Sequence, residues 1–276
     1  MRALLFDSGV GGLSVLGAMA RAGLDLTCDF IADSAWLPYG DKPAQALSDR
    51  VTAILRAASL AWEPSVVILA CNTASTIALE AVRAALPMPV IVTVPPIKPA
   101  AEATRSGVIG LLATPATIAR PFTQGLIDQF ASNCRVIRVG SAQLVQVAEA
   151  KLRGEEVDSR IVRAVMGQMF DAPGGQDLDV IALACTHFPL LRQELESAAP
   201  RAISWIDSGE AIARRVAVVC GLDLPGPGLR LGRVGFTGEA HSIQSAFGAF
   251  GFQSFARITQ ENGEFSLAPC AMFGAG

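Results

Sequence analysis

Two cysteines stand in matching positions along the chain and could supply a pair of groups that exchange protons with one substrate. They lie in the strings Ala70-Cys71-Asn72-Thr73-Ala74 and Ala184-Cys185-Thr186-His187-Phe188. Each string follows a short apolar run and precedes a helical pattern, which predicts a thiol at the carboxyl end of a buried strand and at the start of a helix. Because a helix N-terminus favours negative charge, we expect it to lower the thiol pKa. One thiolate would then act as a base and the other thiol as an acid.

Polar residues beside the two cysteines could tune the thiols and hold the substrate. Asp7 and His187 could each position one thiol or exchange a proton with it. Neutral donors at strand ends and helix starts suit carboxylate groups, and the candidates are Ser8, Asn72, Thr73, Thr186 and the backbone of Gly40. Structural interpretations stay open for these residues. The polar side chains near helix starts could be caps, His187 could be a buried histidine with a structural partner, and Tyr39 could belong only to a turn.

Elements that would position these residues alternate along the whole chain. Continuous apolar runs predict strands over 3–6, 29–31, 66–69, 90–92, 108–112, 135–137, 180–183, 203–206 and 234–236. Helical patterns lie between them, notably over 44–61, 75–86, 142–151 and 155–170. Continuous apolar runs are typical of strands covered on both faces, and the alternation predicts an α/β fold with parallel sheets. In such sheets ligands bind beyond the carboxyl ends of the strands, where the two cysteines are expected.

An internal echo suggests two similar units. The string Asp7-Ser8-Gly9 and the string Asp207-Ser208-Gly209 each end a predicted strand and precede a helix. Pro95 and Pro96 favour a rigid crossover, since proline continues neither a strand nor a helix interior. We therefore predict one α/β domain from residues 1–96 together with 207–276, and a second from residues 97–206. The stretch after Gly221 is rich in glycine and proline and predicts few elements.

Composition excludes several classes of function. The chain has 276 residues, of which 51% are hydrophobic and 17% charged, which is typical of a folded protein with a large core. A net charge of −3 gives no reason to expect nucleic acid as a partner. No apolar run reaches the roughly 18 residues of a membrane span, and the start of the chain does not resemble a signal peptide, so we expect a cytoplasmic protein without a membrane partner.

The sequence predicts neither a bound metal ion nor a cofactor. The six cysteines form no C-x-x-C pair and the chain has two histidines, so no zinc site is expected. The loop Gly9-Val10-Gly11-Gly12 lacks the G-x-G-x-x-G spacing of a dinucleotide site, and no Walker lysine motif is present.

Four strings in order closely resemble the glutamate racemases of the aspartate/glutamate racemase family. They are Phe6-Asp7-Ser8-Gly9-Val10-Gly11-Gly12-Leu13-Ser14-Val15, Pro38-Tyr39-Gly40-Asp41, Ala70-Cys71-Asn72-Thr73-Ala74-Ser75 and Cys185-Thr186-His187-Phe188-Pro189-Leu190-Leu191. The resemblance implies two flavodoxin-like α/β domains in pseudo-symmetric arrangement, with the active site in the cleft between them. It also implies cofactor-independent racemisation of glutamate, in which the two cysteines exchange the α-proton on opposite faces and supply D-glutamate for peptidoglycan.

The resemblance also assigns residues to the pocket. It implies that the substrate pocket is lined by Asp7, Ser8, Tyr39, Gly40, Asn72, Thr73, Thr186 and His187. Cys71 would take the proton from D-glutamate, and Glu149 keeps an acidic position of the family. Leu111 stands where the family commonly has threonine, which would remove one hydroxyl near the substrate carboxylate, although Thr114 remains.

Three other functions stay open on the sequence. The chain could racemise another acid such as aspartate. It could be a cysteine amidase or hydrolase, with Cys185 as nucleophile and His187 as base. It could also be a binding protein built on a degenerate racemase, although both cysteines are intact. A homodimer is one possible assembly.

Overall fold

The computed structural model describes residues 1–270 of the chain, with the side chains of residues 240–242 excepted. The strands are β1 Arg2–Asp7, β2 Thr27–Ala32, β3 Val66–Leu69, β4 Val90–Val92, β5 Val108–Ala113, β6 Arg135–Gly140, β7 Val180–Leu183, β8 Ser204–Ile206, β9 Arg230–Phe236, β10 Ser254–Glu261 and β11 Glu264–Cys270. The helices are α1 Leu13–Arg21, α2 Ala44–Trp62, α3 Asn72–Ile77, α4 Leu79–Ala85, α5 Ile97–Ala103, α6 Pro115–Ala119, α7 Pro121–Phe130, α8 Gln143–Leu152, α9 Ser159–Phe170, α10 Arg192–Ala198, α11 Gly209–Cys220 and α12 Ala240–Phe250. In this part of the chain, no helix is long and apolar enough to cross a membrane.

The strands form two sheets. The first has the order β11-β10-β9-β2-β1-β3-β4 and the second has the order β6-β5-β7-β8. All neighbouring strands run parallel except β10 and β11, which are antiparallel. The predicted α/β fold with parallel sheets is therefore confirmed, with an antiparallel pair added at one edge. The strands of the second sheet all fall within the predicted domain of residues 97–206, while the domain boundaries themselves stay a prediction.

Both sheets bury apolar side chains on both faces, as their continuous apolar runs predict. Along β1, Leu5 belongs to the hydrophobic cluster on one face of the first sheet, and Leu4 and Phe6 belong to the cluster on the other. Along β5, Leu112 and Leu111 divide in the same way between the two clusters of the second sheet. Because helices cover both faces, polar residues that approach a ligand are left at the ends of the strands.

Two helix predictions need correction. The pattern over 75–86 forms two helices, since the first begins at Asn72 and a break at Ala78 separates α3 from α4. The pattern over 155–170 becomes a helix only from Ser159, because the Asp158 side chain caps it by accepting a hydrogen bond from the Arg160 backbone N–H at 2.9 Å.

Strands β10 and β11 were not predicted. They form a hairpin at the edge of the first sheet, with Asn262 and Gly263 at positive φ in the turn. Both strands are partly exposed, so they lack the continuous apolar run on which the other strand predictions rest.

Candidate functional site

One cavity is lined by residues that follow strands of both sheets, and it contains both cysteines. From the first sheet and its loops come Ser8, Leu37, Pro38, Tyr39, Gly40, Cys71, Asn72 and Thr73. From the second come Thr114, Thr117, Val145, Ala184, Cys185, Thr186 and His187. Two of the predicted site residues, Asp7 and Glu149, do not line this cavity but hydrogen-bond to residues that do. The structure thus brings the predicted positions together.

Cys71 is held at the start of a short helix and remains a thiol. It is the N-cap of α3, and its Sγ lies 3.7 Å from the hydroxyl oxygen of Ser8. Burial and the nearby Asp7 carboxylate raise the pKa of Cys71 to about 12, and the opposing hydrogen bond from the Ala74 backbone N–H is too weak to offset them. The prediction that a helix N-terminus lowers the thiol pKa is therefore wrong for Cys71. The helix has six residues, and desolvation outweighs the small field of one short helix.

Cys185 has a different electrostatic neighbour. Its Sγ lies 3.9 Å from His187 Nδ1, while His187 Nε2 lies 2.7 Å from Glu149 Oε1. Burial disfavours a charged imidazole, but the hydrogen bonds with Cys185 and Glu149 outweigh it and hold the His187 pKa well above its usual value. Burial likewise opposes ionisation of Glu149, whereas the bond to His187 and the Val10 backbone N–H bring its pKa below the usual range. His187 thus places an imidazolium 3.9 Å from Cys185 Sγ.

Asp7 is fully buried behind the cavity and acts as a hydrogen-bond acceptor. Its carboxylate accepts from the Thr186 hydroxyl at 2.9 Å, the Gly9 backbone N–H at 3.2 Å and the Ser8 hydroxyl at 3.3 Å. Burial raises the pKa of Asp7, and the charge of His187 and these donors act against that shift. Asp7 does not cap the following helix, because the N-cap of α1 is Gly12 and no side chain caps it. The Thr186 bond joins the ends of β1 and β7, and therefore the two sheets.

The glycine loop after β1 packs directly against the second unit. A Cβ atom on Gly11 would lie 2.5 Å from both His187 Nδ1 and Thr186 Oγ1, so a larger residue would displace them. Just beyond this loop, the Ser14 hydroxyl donates to the backbone carbonyl of Thr186 at 2.7 Å. Here the glycines leave room for side chains that pack against the loop backbone, which explains their presence without a phosphate ligand.

A buried carboxylate that the sequence reasoning missed orients Tyr39. Asp33 accepts from the Tyr39 hydroxyl at 2.6 Å, from the Thr237 hydroxyl at 2.6 Å and from two nitrogens of Arg50 at 2.6 and 2.7 Å. Its position directly after β2, at a strand's carboxyl end, is the signal that could have identified it. Because the phenol donates its proton to Asp33, Tyr39 has only lone pairs left to offer to another group.

A family model described as Asp/Glu/Hydantoin racemase matches residues 18–216. The chain belongs to this racemase family. A glutamate racemase of Sphingopyxis alaskensis is 49% identical over 214 residues, which cover 78% of this chain and 80% of the relative. A glutamate racemase of Sodalis glossinidius is 41% identical over 264 residues, which cover 93% of this chain and 90% of the relative.

A solved glutamate racemase structure is similar to this chain over almost the entire length of both. The crystal structure of Escherichia coli glutamate racemase with L-glutamate and the activator UDP-MurNAc-ala matches with a TM-score of 0.85 and 35% identity. The match covers 98% of this chain and 99% of that one. This racemase chain is therefore an enzyme of the family, and the resemblance drawn from the four strings is confirmed.

The racemase site differs from the predicted one at Leu111. This residue lies inside β5, is fully buried and belongs to an apolar cluster with Ile109 and Ala113. It does not line the cavity, so the expectation that it removes a hydroxyl near the substrate is wrong. Thr114 does line the cavity, and its hydroxyl also caps α6 by accepting from the Thr117 backbone N–H at 3.3 Å. Capping therefore does not keep Thr114 from lining the cavity.

Metal ligands are not clustered in the described part of the racemase. Among residues 1–270, no three His, Cys, Asp or Glu side chains are grouped so that they could hold a metal ion.

Proposed function

We propose that this racemase interconverts L- and D-glutamate by moving the α-proton between two thiols on opposite faces of the substrate, without a cofactor. The observation that carries the proposal is that Cys71 and Cys185 line one cavity from two different sheets. The names of the curated relatives supply the substrate, since each is called a glutamate racemase.

The electrostatic difference between the thiols suits proton transfer from L-glutamate. The Cys185 thiolate, stabilised by the His187 imidazolium, would take the α-proton and form an S–H bond. The Cys71 thiol, whose pKa is raised to about 12, would deliver its proton to the other face of the same carbon. The C–H bond that breaks is thus replaced by one of opposite configuration. Cys71 is left as the thiolate and serves as the base for D-glutamate.

Asp7, which lies behind Ser8 and Thr186 of the cavity wall, would make this return reaction easier by attracting the substrate ammonium group. In the substrate-free site, its carboxylate is one reason why the Cys71 pKa is high. An ammonium group beside Asp7 cancels that repulsion and stabilises a thiolate at Cys71 when one forms. The hydroxyls of Thr114 and Thr73 and the side-chain amide of Asn72 would bind the carboxylates with neutral donors, whereas the Thr186 hydroxyl already donates to Asp7. Such donors, fixed before the reaction, stabilise the negative charge that develops as the α-proton leaves.

The family resemblance also supports a proposal about the cellular use of the product and the location of the protein. We propose that the D-glutamate enters peptidoglycan synthesis and that the protein works in the cytoplasm.

Circular dichroism of D- and L-glutamate, incubated separately with the purified protein and no added cofactor, tests the proposed activity. We expect the signal of each enantiomer to decay to zero, and aspartate to decay far more slowly. Faster decay with aspartate would keep the chemistry and change the substrate. If the protein were instead an amidase that uses Cys185 and His187, neither signal would decay. Mass spectrometry with amide substrates would then reveal an acyl adduct on Cys185.

A further inference from the structure

A second, smaller cavity lies beside the substrate cavity and shares Asn72, Cys185 and Thr186 with it. Thr93, which follows β4, and Asp207, which follows β8, also line it. Its volume is about 10 Å³. A bound water needs roughly 10–15 Å³ and two to four polar partners, so the size of this cavity fits one water molecule.

Two polar atoms of residues that line this cavity have no hydrogen-bond partner within the described residues. They are the side-chain oxygens Asn72 Oδ1 and Thr93 Oγ1, and the two residues are only 6% and 1% exposed. An unpaired buried polar atom is destabilising, and native proteins satisfy nearly all such atoms. A water molecule can bond both oxygens at once, by accepting from the Thr93 hydroxyl and donating to Asn72 Oδ1, whereas neither oxygen bonds the other directly.

Asp207 adds a further polar group to the same cavity. One of its carboxylate oxygens accepts from the Gly209 backbone N–H at 2.7 Å. The sequence echo of Asp7-Ser8-Gly9 therefore has a structural counterpart here, because Asp7 also accepts from the N–H two residues later. A water that accepts from the Thr93 hydroxyl can donate to Asn72 Oδ1 and to Asp207, which gives it three polar partners, the usual number for a buried water.

We propose that a water bound in the second cavity bridges Thr93 Oγ1 and Asn72 Oδ1 and thereby fixes the Asn72 amide so that its NH₂ group faces the substrate carboxylate. The proposal rests on the proposed function for the role of Asn72 in substrate binding. An amide whose oxygen is held by a donor must present its NH₂ group elsewhere. Without that bond the amide can turn over and offer its oxygen to the carboxylate, which repels it. Thr93 is thus a positioning residue, and it does not line the substrate cavity.

Three variants separate this role from a general effect of losing a buried hydroxyl. Thr93→Val keeps the shape of the side chain and removes the hydroxyl, whereas Thr93→Ser keeps the hydroxyl. Thr52→Val is the matched control, because Thr52 Oγ1 in α2 is also buried without a partner in the described structure but lines neither cavity. We expect Thr93→Val to raise KM for glutamate about 3- to 10-fold with kcat changed less than about 2-fold. Thr93→Ser and Thr52→Val should each keep KM close to the value of the unsubstituted protein.

A second measurement does not depend on racemisation. If a water holds the hydroxyl, Thr93→Val should lower the melting temperature by about 2–4 °C. A crystal structure of the unsubstituted protein should then show a water within hydrogen-bond distance of both oxygens. An unchanged KM and an equal or higher melting temperature for Thr93→Val would overturn the proposal. A third outcome is a lower melting temperature for Thr93→Val and a visible water, while the unsubstituted protein does not turn over glutamate. That outcome would support the water bridge and overturn the proposed function instead.

Discussion

Removing the negative charge from Glu149 isolates the electrostatic support that His187 gives to Cys185. Glu149→Gln keeps a carbonyl oxygen where Oε1 now accepts from His187 at 2.7 Å and from the Val10 backbone N–H at 3.0 Å. The geometry is therefore retained while the charge is lost. Hydrogen bonds to charged groups contribute about 1.5–3 kcal/mol, and both side chains are almost fully buried, so solvent screens little of this. We expect kcat/KM for glutamate to fall about 10- to 100-fold.

The same substitution should change the pH dependence of kcat/KM and of stability in a defined direction. Because the bond to Glu149 helps to hold the His187 pKa above its usual value, Glu149→Gln should move the alkaline limb of the kcat/KM profile to lower pH. The stability effect follows from the same shifts. His187 stabilises the fold fully below about pH 6.5 and loses this contribution as the pH rises through its raised pKa. Glu149 stabilises it above about pH 4.5 and loses this contribution as the pH falls through its lowered pKa. Glu149→Gln should therefore lower the unfolding free energy most between about pH 4.5 and 6.5.

Steady-state kinetics by circular dichroism and urea unfolding across the pH range measure both effects. Glu194→Gln is the matched control, since Glu194 pairs with Lys151 at 2.7 Å outside the cavity, and its kcat/KM should change less than about 2-fold. An unchanged kcat/KM and an unchanged alkaline limb in Glu149→Gln would refute the electrostatic role of this pair.

Further predictions concern the thiols, the glycine loop and the carboxylate that orients the chain's single tyrosine. Cys71→Ala and Cys185→Ala should each lower racemisation by about 10³-fold or more, measured by circular dichroism, and near-normal activity in either would exclude a two-thiol mechanism. Gly11→Ala should lower kcat/KM about 100-fold while circular dichroism in the far ultraviolet stays unchanged, because the added Cβ would lie 2.5 Å from the imidazole. Gly125→Ala, where a Cβ meets nothing within 4 Å, is its control and should keep full activity. Asp33→Asn should lower the melting temperature by several degrees, since it leaves the partly buried Arg50 charge without its carboxylate, and an unchanged value would contradict that assignment.

Strands with continuous apolar runs could be predicted from the sequence because burial on both faces leaves a direct mark on composition. The edge hairpin of β10 and β11 could not be predicted in that way, since its strands expose many side chains. A different signal was present, because Asn262-Gly263 between two extended runs is a strong mark of a tight hairpin. Strand prediction by apolar runs alone therefore misses this exposed hairpin, although it locates the edge strands β4, β6 and β8.

The positions of the site could be predicted better than its electrostatics. Cys71 and Cys185 were located from strand ends, which is a local property of the sequence. The high pKa of Cys71 depends on burial and on Asp7, which comes from a different strand and meets the thiol only in the folded molecule. Similarly, the role of Asp33 depends on Thr237, more than 200 residues away in the chain.

The most direct test of the two-thiol account follows the α-proton itself. L-Glutamate would be incubated with the protein in deuterated water, and both enantiomers would be isolated after a small fraction has reacted. With one thiol on each face, the D-glutamate formed should carry deuterium at the α-carbon, while the recovered L-glutamate should still carry hydrogen. Equal deuterium in both enantiomers at early times would show that a single base serves both faces, and would contradict the account.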